Sequence, residues 1–151
     1  MKNKFKLLII ILVLTLYHFS VKSTEQFNFD VKEVEITDEG NTFKGLKGGT
    51  ATTQEGLKIS AQEFEYDKIL NILIAKKNVK LEDIVNNYII FADKITYFKN
   101  KEEIFTNGKT KAFIENKYEF ESKDTKFYKN KKILISTQKS TITDDDGTFY
   151  K

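Results

Sequence analysis

A ten-residue pattern returns four times along this sequence, and each copy begins 30 or 31 residues after the previous one. Every copy has apolar residues at positions 1, 3, 5, 8 and 10, and 18 of these 20 positions are apolar. A sequence that is 40% hydrophobic would fill about 8 of them by chance. The copies, here called units, span residues 27–36, 57–66, 88–97 and 118–127. A fixed period of this size is typical of stacked supersecondary units.

Four residues depart from the pattern. Ser122 and Thr125 are polar where an apolar residue is expected, and Ile89 and Phe91 are apolar where a polar one is expected. The alternation also slips by one residue between positions 5 and 8 of every unit. A β-bulge has this effect, because one extra residue keeps both halves of a strand facing the core while the strand bends. We therefore predict that each unit is a bent strand.

A second strand is predicted after each unit, beyond a polar turn. Segments 72–81, 104–114 and 133–142 are rich in β-branched and aromatic residues, whereas residues 43–49 of the first repeat are rich in glycine. Turns with Asp, Asn, Gly and Lys separate these segments from the units. The sequence predicts eight antiparallel strands in four hairpins. Such an all-β fold could close as a sandwich or jellyroll, or stay open as a stacked two-layer sheet.

Residues 148–150 begin a fifth copy of the repeat near the end of the sequence. This position predicts that the domain is C-terminally incomplete. An unpaired strand at such an end needs a cover from another chain or from a missing segment.

The N-terminus has the three-part layout of a secretory signal. Lysines occupy positions 2, 4 and 6, an apolar run covers residues 7–16, and Val21 and Ser23 suit a cleavage site. We predict a signal peptide over residues 1–23 and a mature domain over residues 24–151. The alternative is an uncleaved membrane anchor, although the extended apolar run of about 15 residues is shorter than the roughly 20 that span a membrane.

The composition argues against an enzyme, a metal protein and a cofactor protein. The sequence has no cysteine, and its single histidine, His18, lies in the leader. A catalytic triad, a proton shuttle and a zinc site therefore lack their usual residues. Contiguous acids at 144–146 followed by Gly147 suit a hairpin turn better than a calcium loop, which alternates its acids. The net charge of +3 comes from interleaved charges and indicates no nucleic-acid surface.

The repeat residues resemble the OstA-type domain. Three runs match the alternating motifs of that family: Ile-Ser-Ala-Gln-Glu-Phe-Glu-Tyr-Asp at 59–67, Ala-Lys-Lys-Asn-Val at 75–79 and Phe-Ala-Asp-Lys-Ile-Thr-Tyr at 91–97. Lys77 stands where the family usually has glycine, and Gly108 keeps the glycine one repeat later. The lipopolysaccharide transport proteins LptA and LptC and the N-terminal periplasmic part of LptD share this domain.

Membership in this family implies a curved β-jellyroll with a cleft, open along one side, that shields the acyl chains of lipopolysaccharide. It also implies a periplasmic location associated with the outer membrane and head-to-tail edge pairing with other Lpt jellyroll domains. The leader and the opening fifth repeat resemble most the N-terminal part of LptD, whose partners include LptA and LptE. LptA is the alternative, and LptC would require the N-terminal segment to remain as an anchor.

The family resemblance and the repeat together predict which residues line the cleft. Positions 3, 5 and 8 of the units and two residues of the second strands supply apolar surface without chemistry. The predicted lipid-binding residues are Ile59, Ala61, Phe64, Ile74, Ile90, Ala92, Ile95, Phe105 and Phe120. A closed structural or adhesive β-solenoid is the alternative, because its dry core would need the same inward pattern.

Overall fold

Twelve β-strands and three single-turn 3-10 helices make up residues 27–150, the part of the chain that the computed structural model describes. The predicted signal peptide, residues 1–23, lies outside the described residues. Within residues 27–150, no helix is long and apolar enough to cross a membrane. In chain order, the strands and their bounds are β1 (Asn28–Thr37), β2 (Thr42–Thr52), β3 (Leu57–Ala61), β4 (Glu63–Asp67), β5 (Ile72–Asp83), β6 (Tyr88–Phe98), β7 (Glu103–Ile114), β8 (Tyr118–Lys123), β9 (Lys126–Tyr128), β10 (Ile133–Ile135), β11 (Thr141–Asp144) and β12 (Phe149–Tyr150).

The strands form one antiparallel meander in the order β1-β2-β3-β5-β6-β7-β8-β11-β12. The short strand β4 continues β3 and pairs with β2 and β5, and β9 continues β8 and pairs with β7 and β10. The four units are therefore β1, β3 with β4, β6, and β8 with β9. The predicted all-β architecture is confirmed, and the strand number rises from eight to twelve because two units and the last second strand are interrupted and the fifth copy of the repeat forms β12.

Bulges interrupt the pairing where the sequence alternation slips. Ala92 pairs with Thr110 while Lys94 pairs with Asn107, so β7 holds one more residue than β6 across this step. The same shift occurs between β1 and β2 and between β5 and β6. In each pair the extra residue belongs to the second strand of the repeat. The slip in the sequence thus marks the bend correctly, and the partner strand carries the additional residue.

One equivalent position in the three bulged strands has a left-handed backbone. The φ angles are +63° at Lys47, +67° at Lys77 and +80° at Gly108. Glycine adopts this conformation without strain, whereas other residues rarely do. The glycine of the family motif therefore corresponds to a backbone requirement, which the two lysines meet at a conformational cost.

The sheet folds back on itself at the bulges, so that the two halves of the long strands form facing layers. The ring of Phe27, at position 1 of the first unit, lies 5.2 Å from that of Tyr66 and 6.0 Å from that of Tyr97, both at position 10 of later units. Tyr88 and Phe127 repeat the contact at 4.8 Å. We call the line of bulges the crease, and the opposite edge, where positions 1 and 10 meet, the seam.

Apolar side chains fill the space between the layers. Leu73, Leu81, Ile95 and Ile104 are completely buried, and so are several smaller residues. Burying each large side chain contributes roughly 1.5 to 3 kcal/mol. The central repeats are therefore held together by a continuous apolar core.

Candidate functional site

The interior between the layers contains seven of the nine residues predicted to line a cleft. Each of them is between 0% and 7% exposed, and all belong to one apolar cluster. The seven are Ile59, Ala61, Phe64, Ile90, Ala92, Ile95 and Phe120. Side chains of the protein itself fill this interior, so access from outside depends on its edges and ends.

Ile74 and Phe105 lie on the outer face instead, so the predicted orientation of the second strands is wrong. Ile74 pairs with Glu65 and Thr96, and Phe105 pairs with Thr96 and Lys126. Directly paired residues share a face of the sheet, and these partners point away from the core. The outer face carries other apolar residues here, so the segments 72–74 and 104–105 show no alternation from which the inward residue could be read.

The sequence pattern did not identify the inward residues of the second strands. Leu73 pairs with Tyr66 and Tyr97, and Ile104 pairs with Tyr97 and Phe127, all of which are buried. The signal that could have found them is the hairpin register, counted from position 10 of each unit through the turn. The inward set from these strands is Leu73, Ala75, Val79, Leu81, Ile104, Thr106, Thr110 and Ala112.

A threonine cluster makes the interior more polar toward the fourth unit. The hydroxyl oxygens of Thr106 and Thr110 lie 2.6 Å apart, and the Thr125 backbone N–H donates to the Thr106 hydroxyl at 2.9 Å. All three residues are buried. Thr125, one of the two polar departures from the repeat, joins this cluster through its backbone, whereas its buried hydroxyl has no hydrogen-bond partner within residues 27–150.

Charged and hydroxyl groups close the seam between the layers. Lys129 Nζ lies 2.7 Å from Glu102 Oε2 and 3.6 Å from Asp83 Oδ2, and the Tyr97 hydroxyl donates to Glu102 at 2.8 Å. The side chains of Lys129 and Asp83 are only 9% and 3% exposed. Asp83 lies at the end of β5 and Lys129 follows β9, so the ammonium bridges the two layers.

Several ionisable groups at the seam have shifted pKa values, among them Tyr97 and Asp83. Burial raises the pKa of the Tyr97 hydroxyl, and its bond to Glu102 adds to this effect. Burial disfavours the ionised form of Asp83, but hydrogen bonds from Asn86 and the charge of Lys129 outweigh it and hold the pKa of Asp83 below its usual value. The Asp83 carboxylate is therefore ionised where it meets Lys129.

A cavity of about 150 Å³, here called the mouth, opens at the seam beside the last repeat. Apolar side chains line it, and polar residues form its rim. The apolar residues are Tyr88, Ile114, Tyr118, Phe127 and Leu134, and the polar ones are Asn86, Glu115, Lys129 and Lys132. The mouth is continuous with the core through Tyr88 and Phe127, which belong to both.

The two ends of the sheet expose apolar residues. Val34 and Ile36 occupy inward positions of β1 but are 50% and 59% exposed, because within residues 27–150 no strand pairs with the other edge of β1. At the other end of this described part, β10 exposes Ile133 and Ile135 and has β9 as its one pairing partner. Within residues 27–150, no group of three or more His, Cys, Asp or Glu side chains could hold a metal ion.

No protein-family model matches this sequence, and no curated protein matches it. The structure is similar to the crystal structure of LptH, the LptA homologous periplasmic component of the conserved lipopolysaccharide transport device from Pseudomonas aeruginosa. The TM-score is 0.62 at 13% sequence identity, over 74% of this chain and 82% of the LptH chain. The protein therefore has the β-jellyroll fold of LptH, as the repeat and the motif resemblance predicted.

Proposed function

We propose that this protein is a non-enzymatic periplasmic carrier of lipopolysaccharide, and that it shields the acyl chains between its two layers. The observation that carries the proposal is the apolar interior, which runs through the central repeats and ends at the mouth. A continuous apolar volume suits an alkyl chain better than a small polar substrate. The fold shared with LptH and the motif resemblance support the same function.

The acyl chain would enter where the seam opens. The mouth is smaller than the roughly 300 to 1,000 Å³ of most ligand pockets, so the layers must separate to admit a chain. The contact between Tyr88 and Phe127 and the bridge from Lys129 to Asp83 close the seam next to the mouth. Water can replace the bonds of these polar groups when the layers part, so opening costs less here than through the apolar core.

Other Lpt jellyroll domains would bind at the two ends of the sheet. Strand β1 at one end and strands β10 and β12 at the other have neighbours on one side only within residues 27–150. A strand of another domain can pair with such an edge and cover the apolar residues beside it. Head-to-tail pairing would extend the interior from one domain into the next.

The choice between an LptA-type protein and the N-terminal domain of LptD depends on the partner. The sequence favours LptD, which binds LptE, and LptA remains the alternative. Affinity purification of the protein from its native envelope checks this choice. Recovery of LptE without a separate LptD chain supports the LptD assignment, whereas recovery of LptC together with a separate LptD chain supports the LptA type.

A photo-crosslinking residue tests the lipid proposal at two matched isoleucines. Ile90 lies in the interior and Ile74 on the outer face of the same sheet. We expect lipopolysaccharide adducts from position 90 and from Tyr118 at the mouth, and few or none from position 74. A folded protein that forms no adduct at 90 or 118 would contradict the carrier function and support the closed structural solenoid.

A further inference from the structure

A lysine-rich groove crosses the sheet on the side of the crease, away from the seam and the mouth. Its volume is about 1060 Å³, and it spans the neighbouring strands β5, β6, β7, β8 and β11. Four strand spacings of roughly 4.8 Å give it a length of about 19 Å. The charged lining residues are Lys80, Lys109, Lys111, Lys123 and Lys139, with Asp93 and Glu121.

The groove carries an excess of positive charge, although the domain as a whole has almost no net charge. Residues 27–150 contain 20 lysines and 21 acidic residues, which gives a net charge of −1. Five lysines and two acids line the groove, and Glu82 and Glu119 pair with two of these lysines, which leaves a local net charge of +1. A concave surface with an excess of one sign of charge attracts ligands of the opposite sign.

Three of the groove lysines make no ion pair within residues 27–150. Lys80 pairs with Glu82, and Lys111 pairs with Glu119 and Glu121, whereas Lys109, Lys123 and Lys139 have no carboxylate within 4 Å. Asp93, the other acid of the groove, accepts a hydrogen bond from the backbone N–H of Lys109 at 3.2 Å. Three ammonium groups are therefore available to an anionic ligand.

A serine network holds the wall that carries Lys139. The Ser122 hydroxyl lies 2.7 Å from that of Ser136, and the Ser140 hydroxyl donates to Ser122 at 2.9 Å. The Ser136 hydroxyl also donates to the backbone carbonyl of Lys123 at 3.0 Å. Ser122, the second polar departure from the repeat, thus fixes the segment between β10 and β11 against β8, which positions Lys123 and Lys139 on the same groove.

Phe91 adds an aromatic surface among these lysines. Its side chain is 39% exposed, and it sits at a unit position that is otherwise polar. On the sheet it lies between its pairing partners Lys80 and Lys111. The face of an aromatic ring carries partial negative charge and attracts the polarised C–H groups of a sugar ring.

We propose that this groove binds an acidic oligosaccharide, whose phosphate, sulfate or carboxylate groups contact Lys109, Lys123 and Lys139 while one sugar ring stacks on Phe91. A single-stranded nucleic acid would need several aromatic platforms, and Phe91 is the one aromatic residue of this lining. A peptide that adds a strand needs a sheet edge, and the groove lies on a sheet face. Val79 and Ala92 belong to both the groove lining and the apolar cluster, so the saccharide site adjoins the proposed lipid interior at the crease. The proposed ligand carries no acyl chain, so the test of this site does not depend on the proposed lipid function.

Fluorescence anisotropy with a labelled dextran sulfate hexasaccharide tests the site on the folded chain. We expect binding that a neutral dextran hexasaccharide does not compete, and a loss of affinity of at least about tenfold in the triple variant K109Q/K123Q/K139Q. The matched control K58Q/K68Q/K101Q removes three exposed lysines outside the groove and should stay within about twofold. Equal losses in the two triple variants would overturn the proposal.

The variant Phe91→Ala separates a saccharide site from a general anion site. It should weaken the hexasaccharide and leave the affinity for inorganic polyphosphate, which has no sugar ring, unchanged. Circular dichroism checks that the variant is folded. Equal effects on the two probes, or tighter binding of a single-stranded oligonucleotide than of the hexasaccharide, would contradict the proposal.

Discussion

The two central repeats and the two end repeats follow the same template, yet only the central ones bury it fully. In the third unit, Ile95 and Tyr97 are completely buried. In the first unit, the equivalent Val34 and Ile36 are 50% and 59% exposed. At equivalent unit positions, the burial of an apolar side chain therefore depends on whether strands flank its own strand on both sides, and not on its residue type. Within residues 27–150, the terminal repeats therefore leave apolar positions uncovered, whereas an internal repeat is covered by the repeats on both sides of it.

The largest effect is expected from truncating a central core residue. Ile95→Ala should lower the free energy of unfolding by about 2 to 5 kcal/mol, because it leaves a cavity in a packed apolar interior. Ile133→Ala, the matched change in the exposed strand β10, should cost less than about 0.5 kcal/mol. Urea denaturation measures both. Similar losses in the two variants would show that the ends are packed as tightly as the centre.

The seam should lose stability in acid, and Asp83→Asn should remove that dependence. A carboxyl whose pKa is lowered in the folded state stabilises the protein above its unfolded pKa, near 3.9, and this stability is lost as the pH falls through the folded value. The variant should cost about 1 to 3 kcal/mol at neutral pH, because Lys129 loses a buried partner.

Thermal unfolding followed between pH 7 and pH 2 checks this prediction. The stability difference between the parent and Asp83→Asn should be constant above about pH 5 and shrink below about pH 4. A difference that stays constant down to pH 2 would contradict a role for the ionised Asp83 at the seam.

The left-handed bulge position is Gly108 in the third repeat and Lys77 in the second. We expect substitutions there to change the free energy of unfolding by less than the seam variant does. Gly108→Ala places a side chain at a φ of +80° and brings its Cβ within 2.0 Å of the Asp93 carboxylate, which can move. We expect a loss of about 1 to 2 kcal/mol. Lys77→Gly should change stability by less than about 1 kcal/mol, because the relieved strain is offset by chain entropy and by the lost ion pair with Glu63. Urea denaturation of both variants provides the comparison.

The smallest change in stability is expected from charging the exposed end. Val34→Lys with Ile36→Lys should alter the free energy of unfolding by less than about 0.5 kcal/mol. The same variant should lose edge pairing with another jellyroll domain, because lysine on an edge strand discourages added strands. Analytical ultracentrifugation with a purified LptA-type domain measures this. Undiminished association would place the contact elsewhere.

The sequence predicted the architecture better than the site. The spacing of the units gave the bent strands and their inward residues, because alternation is clear where one face is polar. It failed at Ile74 and Phe105, where Ile72 and Phe98 make the outer face apolar as well. The seam bridge was not predictable, since Asp83 and Lys129 are 46 positions apart and belong to no repeat position in common. The cleaved leader remains a prediction.

The meander topology also affects the order in which the strands fold and in which they open locally. Within residues 27–150, each strand pairs only with strands that follow or precede it closely in the chain, so most backbone bonds close short loops. Folding can then start in the central hairpins and spread outward, in the manner of a zipper. Amide hydrogen exchange should be slowest in β5 and β6 and should quicken by steps toward both ends, where a docking domain would slow it again.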